Sequence, residues 1–222
     1  MSRYWTLAAG VVSLMGAVAA PIAHADDNNW EIRVRAVYLD PANQSGAIGA
    51  PYDVPANEIH INGKVLPDVD FEYFFTPHWS SELLLTYPQT QNVTIEKSAF
   101  GVPATIGSFK HLPPILTAKY NFLPGSNFQP YIGVGVNFTL IYGANLNVPA
   151  AGENPPIKLT LNSNSVGIAG QAGFDYKLSD QVYLNADVKY ASLSSNVYTG
   201  GVRVTSVTIN PFLFGVGVGY RF

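Results

Sequence analysis

Twelve charged side chains stand inside otherwise apolar segments, nine of them at two-residue spacings: Arg33 and Arg35, then Asp68, Asp70 and Glu72, then Asp175 and Lys177, and Asp187 and Lys189, with Glu82, Lys119 and Arg221 standing singly. They comprise six acids and six bases. Such a set can move protons, conduct ions or neutralise itself. In an extended chain every second residue faces the same way, so each group shares one side of its segment. Charges enclosed on one side are tolerable only when paired and hydrogen-bonded, so the twelve are expected to form a self-neutralising plug. Other chemistry is thinly represented. With no cysteine, disulfides, thiolate metal sites and cysteine nucleophiles are excluded. His60 falls in a connection and His78 in a tight turn. Only His111 is placed near an outer cleft, with Ser98 and Ser108 in the same segment, and a serine and a histidine in one segment do not specify a catalytic triad, so no enzyme is expected. No metal-ligand cluster or phosphate loop occurs, and no cofactor is expected. A formal charge of −3 without any Lys/Arg cluster argues against nucleic acid as a partner.

The segments that must position these charges read as strands. Only 12% of the 222 residues are charged, while Gly (20), Pro (16), Tyr (13) and Phe (12) are abundant, a composition of strands and turns. The clearest run closes the chain. Phe212, Phe214, Val216, Val218, Tyr220 and Phe222 share one parity, and Leu213, Gly215, Gly217, Gly219 and Arg221 share the other. The glycine side is too thin for a solvated surface and suits a crowded interior, which leaves the bulky side for lipid. Similar alternation runs over residues 30–39, 66–76, 79–87, 110–122, 128–142, 164–178 and 181–193. Residues 40–65, 88–109, 144–163 and 194–206 read as long irregular loops, and between them the connections are short.

Residues 1–25 read as a signal peptide, with an apolar stretch from Thr6 to Ala20 and Ala23-His24-Ala25 as the cleavage site. Beyond them no apolar run reaches the length of a spanning helix, so a membrane protein built from residues 26–222 has to be a closed barrel. The predicted fold is all-β: an eight-stranded antiparallel transmembrane β-barrel with short periplasmic turns and long extracellular loops. Outward aromatics sort into two groups, as interfacial girdles require. Trp30, Phe75, Trp79, Tyr120, Phe122, Tyr176, Tyr220 and Phe222 lie toward the short turns, and Tyr38, Tyr87, Tyr142, Tyr190 and Phe212 toward the long loops.

Nearer the long loops the inward positions become Val37, Leu39, Leu66, Leu84, Ile115, Ile141, Leu193 and Leu213. Apolar side chains are unfavourable against an aqueous pore and make sense if they meet one another or an apolar ligand. Five stretches together resemble the OmpW family of small outer-membrane channels: His111-Leu112-Pro113-Pro114, Phe128 to Thr139, Gly167 to Tyr176, Asn185 to Tyr190, and Asn210 to Phe222. The resemblance spans essentially the whole mature chain, although the first and third long loops carry none of its motifs. It implies a barrel in the outer membrane of a Gram-negative bacterium that helps small hydrophobic compounds to cross, releasing them sideways into the lipid. Pro113 and Pro114 are the expected lateral opening, since proline has no N–H to donate to the barrel wall. Tyr220 and Phe222 resemble the terminal aromatic signal read by the barrel assembly machinery. The competing expectation is a filled structural barrel whose loops bind a surface partner such as a host molecule or phage.

Overall fold

The computed structural model describes residues 29–99, 101 and 103–222; the expected signal peptide and its cleavage site lie outside the described residues. The described chain contains β1 (Trp30–Asp40), β2 (Gln44–Ser45), β3 (Ile59–Ile61), β4 (Lys64–Phe74), β5 (Trp79–Thr86), β6 (Gln89–Ile95), β7 (Ala104–Leu112) and β8 (Ile115–Asn121). It continues with β9 (Phe128–Val148), β10 (Ile157–Leu161), β11 (Asn164–Lys177), β12 (Val182–Ala191), β13 (Ser194–Thr199), β14 (Val202–Thr208) and β15 (Phe212–Arg221). Eight of these close a ring of antiparallel neighbours, β1-β4-β5-β8-β9-β11-β12-β15, and β15 returns to β1.

Alternation is kept through the wall. In β1 the side chains of Glu31, Arg33, Arg35, Val37 and Leu39 are buried, whereas Trp30, Val34 and Tyr38 are exposed. Val134, Val136, Val166, Ile168, Val216 and Val218 form part of an exposed aliphatic belt, with Trp79, Phe122, Phe128 and Phe222 at its short-turn end and Tyr38, Tyr87 and Phe212 at the other. A belt of this kind is stable only against hydrocarbon.

The connections toward the long-loop end depart from the sequence reading. Three of the stretches expected to be irregular contain hairpin strands. β6 pairs with β7, β13 with β14, and β9 runs on to Val148 and pairs with β10. The wall therefore continues above the belt as a smaller sheeted extension, and Ile59, Ile61, Val93, Ile95, Phe109, Leu146, Leu159, Val197 and Val207 are packed inside it. Prolines and asparagines obscured the period there: the prolines flank the strands rather than excluding them, and Asn92, Asn145, Asn147 and Asn196 lie within them.

Closure depends on glycine. Gly217 and Gly219 of β15 stand opposite Arg35 and Arg33 of β1. A Cβ at Gly217 would run into the Val34 carbonyl oxygen and the Arg35 side chain, and one at Gly219 into the Glu31 carboxylate. The absent side chains are the space in which two arginines lie flat across the lumen. Gly217→Val is therefore expected to lower the yield of folded, heat-modifiable barrel, by overpacking worth about 1–3 kcal/mol. The outward Val216→Leu serves as control, and equal yields of the two variants would remove the close-packing role of Gly217.

Candidate functional site

The lumen has two levels, set by residue type. At the short-turn end β1, β4, β5, β8, β11, β12 and β15 converge a charge network whose side chains are almost wholly shielded. Arg33 lies among four carboxylates: Nε is 2.8 Å from Glu31 Oε1, Nη1 3.2 Å from Glu82 Oε2, Nη2 3.0 Å from Asp175 Oδ2, and Nη2 also meets Glu72. Arg35 reaches Asp68 at 2.9 Å, Asp70 at 2.9 Å and Asp187 at 2.7 Å. Lys119 bridges Glu72 at 2.7 Å and Glu82 at 3.2 Å, with its ammonium 3.7 Å above the Tyr131 ring. Lys189 meets Glu82 at 3.1 Å and also Asp187. Arg221 holds Glu31 at 2.6 Å between the rings of Phe74 and Tyr183, each 4.2 Å away.

Eleven of the twelve charges expected to share this level do so. Lys177 does not. It stands at the short-turn rim and pairs at 2.9 Å with the exposed Asp180, holding that carboxyl below its usual range by hydrogen bond first and by Coulombic attraction second. Lys177 is the last residue of β11, so its inward phase places it at the rim rather than in the network. Glu31 and Tyr131 were left out of the expected plug, although both have inward parity. With Glu31 included and Lys177 removed, the network contains seven carboxyls and five cationic side chains, against the six and six expected. Glu31, Glu72 and Asp175 approach one another within 4.8 Å, a spacing suited to a cation, but Arg33 bonds all three and fills that role.

Immediately above, the walls turn aliphatic. Val37, Leu39, Leu66, Leu84, Ile115 and Leu213 pack as one cluster with Ala169 and Ala191. The other two expected apolar residues, Ile141 and Leu193, belong instead to the cluster of the upper extension. A narrow cavity lies at the lower apolar level, lined by Val37, Leu39, Leu66, Leu84, Ile115, Leu193 and Leu213 together with Asp68, Gln89, His111, Asn137, Thr139, Pro113 and Pro211. A second narrow cavity lies in the extension, lined by Ile59, Ile61, Val93, Phe109, Ile141, Leu159, Val197 and Ile209 among others. Gln89 escaped the sequence reading because its strand was taken as a loop. The hydrogen bond of His111 is with Gln91, at 3.3 Å, and not with Ser98 or Ser108.

Pro113 and Pro114 separate β7 from β8. Toward β9 the wall stays closed: Leu112 faces Leu140, Ile115 faces Asn137, and the Phe138 N–H donates to the Pro114 carbonyl at 3.1 Å. On the other side the β5–β8 ladder ends at Leu84 opposite Ile115 and resumes as β6–β7 at Gln89 opposite His111. Residues 85–88 and 112–114 lie between, and Pro88, Pro113 and Pro114 bring no N–H to that interval. Pro113 also lines the lower apolar cavity.

A profile of the OmpW family matches residues 28–222. Outer membrane protein W of Vibrio cholerae serotype O1 is 29% identical over 217 residues, covering 96% of this chain and 97% of its own. Outer-membrane protein y4mB of Sinorhizobium fredii is 34% identical over 199 residues, covering 87% of this chain and 80% of its own. Among solved structures, the outer membrane protein OprG from Pseudomonas aeruginosa superposes with a TM-score of 0.73 at 24% identity, over 88% of this chain and 96% of that one, which shows a shared fold.

Removing one partner from a buried network leaves charges uncompensated. Arg33→Met leaves Asp175 without a cation and takes one from Glu31, Glu72 and Glu82, which keep Arg221, Lys119 and Lys189, and is expected to destabilise the refolded barrel by about 3–5 kcal/mol in urea titrations in lipid. Lys177→Ala should leave the unfolding midpoint where it is. Equal midpoints for wild type and Arg33→Met would mean that the network is neutralised without its central arginine.

Proposed function

The chain belongs to the OmpW family and is an outer-membrane β-barrel of a Gram-negative bacterium, and from that premise we propose that it conducts small hydrophobic molecules into an apolar upper lumen and out sideways into the membrane. The observation that carries this reading is the stacking of an aliphatic cavity on a sealed charge network, with Pro113 in the cavity wall. An apolar molecule is stabilised among Val37, Leu39, Leu66, Leu84, Ile115, Leu193 and Leu213 by release of water from both surfaces. Ile141 lies on its way in, since it lines the cavity above. Descent is opposed, because displacing any of the paired charges below would leave its partner desolvated and unmatched. The interval between β5–β6 and β7–β8 is then the exit of least cost, its prolines having no N–H to give up on that side. The remaining partners are the membrane lipid around the aliphatic belt and, during biogenesis, the assembly machinery, for which Tyr220 and Phe222 at the end of β15 supply the signal.

Two measurements bear on the route. Leu84→Glu puts an unpaired charge among aliphatics at a cost of a few kcal/mol, and is expected to cut entry of a lipophilic tracer at least about tenfold in cells with an intact lipopolysaccharide leaflet, with folding preserved. Pro113→Val with Pro114→Thr restores two N–H donors and should reduce delivery to the membrane without lowering single-channel conductance. Unchanged tracer entry in both folded variants would instead favour a filled barrel whose loops engage a surface partner. For biogenesis, deletion of Phe222 should slow outer-membrane insertion in cells more than it lowers the urea midpoint of refolded protein; wild-type insertion would remove the signal role.

A further inference from the structure

Between the two apolar cavities the lumen is crossed by a short polar level made by Gln89, Gln91 and His111. All three are buried, with exposures of 1%, 1% and 4%. Gln89 and His111 face each other across the β6–β7 ladder, at the upper edge of the proline interval, and both line the lower cavity. The amide nitrogen of Gln89 is engaged, donating to the Tyr87 carbonyl at 2.9 Å and to Thr86 Oγ1 at 3.4 Å. Its Oε1 has no partner, and neither do Gln91 Oε1 and His111 Nδ1, although all three atoms are shielded. Native structures seldom leave buried polar atoms unmatched, and three on neighbouring side chains between two greasy chambers call for an occupant.

Their chemistry limits what that occupant is. Gln91 Nε2 lies 3.3 Å from His111 Nε2; with that amide as donor the ring nitrogen accepts and the imidazole proton belongs to Nδ1. The cavity wall thus presents one free carbonyl acceptor, from Gln89, and one free N–H donor, from His111. A carboxylate would face that carbonyl oxygen and gain one donor. An ammonium would have no free carboxylate to balance it, since Asp68, the acid that lines the cavity, is already held by Arg35. A hydroxyl matches, because it donates one hydrogen bond and accepts another. Resting on the channel reading above, we infer that this level is a selectivity site for the neutral hydroxyl of an otherwise apolar molecule, an alcohol or a phenol, whose hydrocarbon part occupies the aliphatic cavity.

The test uses two probes of similar size and shape, butylbenzene and 4-butylphenol, and initial uptake by cells with an intact lipopolysaccharide leaflet expressing the full chain. Wild type is expected to favour the phenol over butylbenzene about tenfold more than cells without the protein do, the factor that one additional satisfied hydrogen bond supplies. In Gln89→Leu/His111→Leu the preference should vanish and butylbenzene uptake should rise. Gln89→Asn, which keeps an amide, should retain part of the preference. Heat-modifiability on gels checks that each variant folds. On the purified protein in lipid nanodiscs, the His111 ring nitrogen resonances should move with 4-butylphenol and not with butylbenzene. If both probes enter through wild type faster than through control cells but without preference, or if the double variant keeps the preference, the site inference is overturned and the channel reading stands. If neither probe enters above control, both fall.

Discussion

The constraint on which the rest depends is the neutralisation of charge inside a barrel too narrow to hold water around it. Eight strands leave an interior that side chains can fill, so Arg33 and Arg35 cannot be solvated and must be met by carboxylates from β4, β5, β11 and β12. Their partners lie 33 to 152 positions away in sequence. The network therefore acts as a register gauge: a one-residue slip of β1 would turn both guanidiniums toward lipid and leave a row of acids without cations. Gly215, Gly217 and Gly219 on β15 belong to the same arrangement, since their missing side chains give the arginines room.

That plug also determines what the rest of the lumen can do. On the proposed route the paired charges oppose axial passage of apolar solutes, and the aliphatic level above them empties through the wall. The upper extension built from β6, β7, β9, β10, β13 and β14 lines the approach with apolar groups. The proposed selectivity site and the proposed exit thus adjoin. His111 and Gln89 stand at the upper edge of the interval that contains Pro88, Pro113 and Pro114.

Much of this was legible in the sequence because the two-residue period is rigid: once Phe212 to Phe222 is assigned a lipid side, Arg221 and the three glycines have no other side to occupy. Parity alone gave no depth. Lys177 keeps the inward phase but stands at the rim of the barrel, while Glu31, one step from the chain end of β1, sits fully inside it. Residues 88–109 misled for a different reason. Pro88, the turn residues near Ser98 and the polar run Gln89-Thr90-Gln91-Asn92 read as a loop, yet those residues pair as strands whose inward glutamines are buried. Strand propensity there is outweighed by pairing with β7 and by the apolar contacts of Val93 and Ile95.

The proline interval could have been a liability, since unpaired backbone invites association with other chains. It is bounded instead. Leu84 opposite Ile115 closes it below and Gln89 opposite His111 closes it above, five residues apart on one side, or about 16 Å of extended chain. On its far side β9 runs unbroken past both β7 and β8, so the strand carrying Pro113 and Pro114 stays anchored while its near edge is free. The interval is therefore bounded within the wall and too short to nucleate pairing with another chain, and on the proposed route it is the exit. Its upper boundary is the pair that includes His111, so on that proposal a molecule whose hydroxyl is held at Gln89 and His111 lies beside the exit, and its release exchanges those hydrogen bonds for ones at the membrane interface.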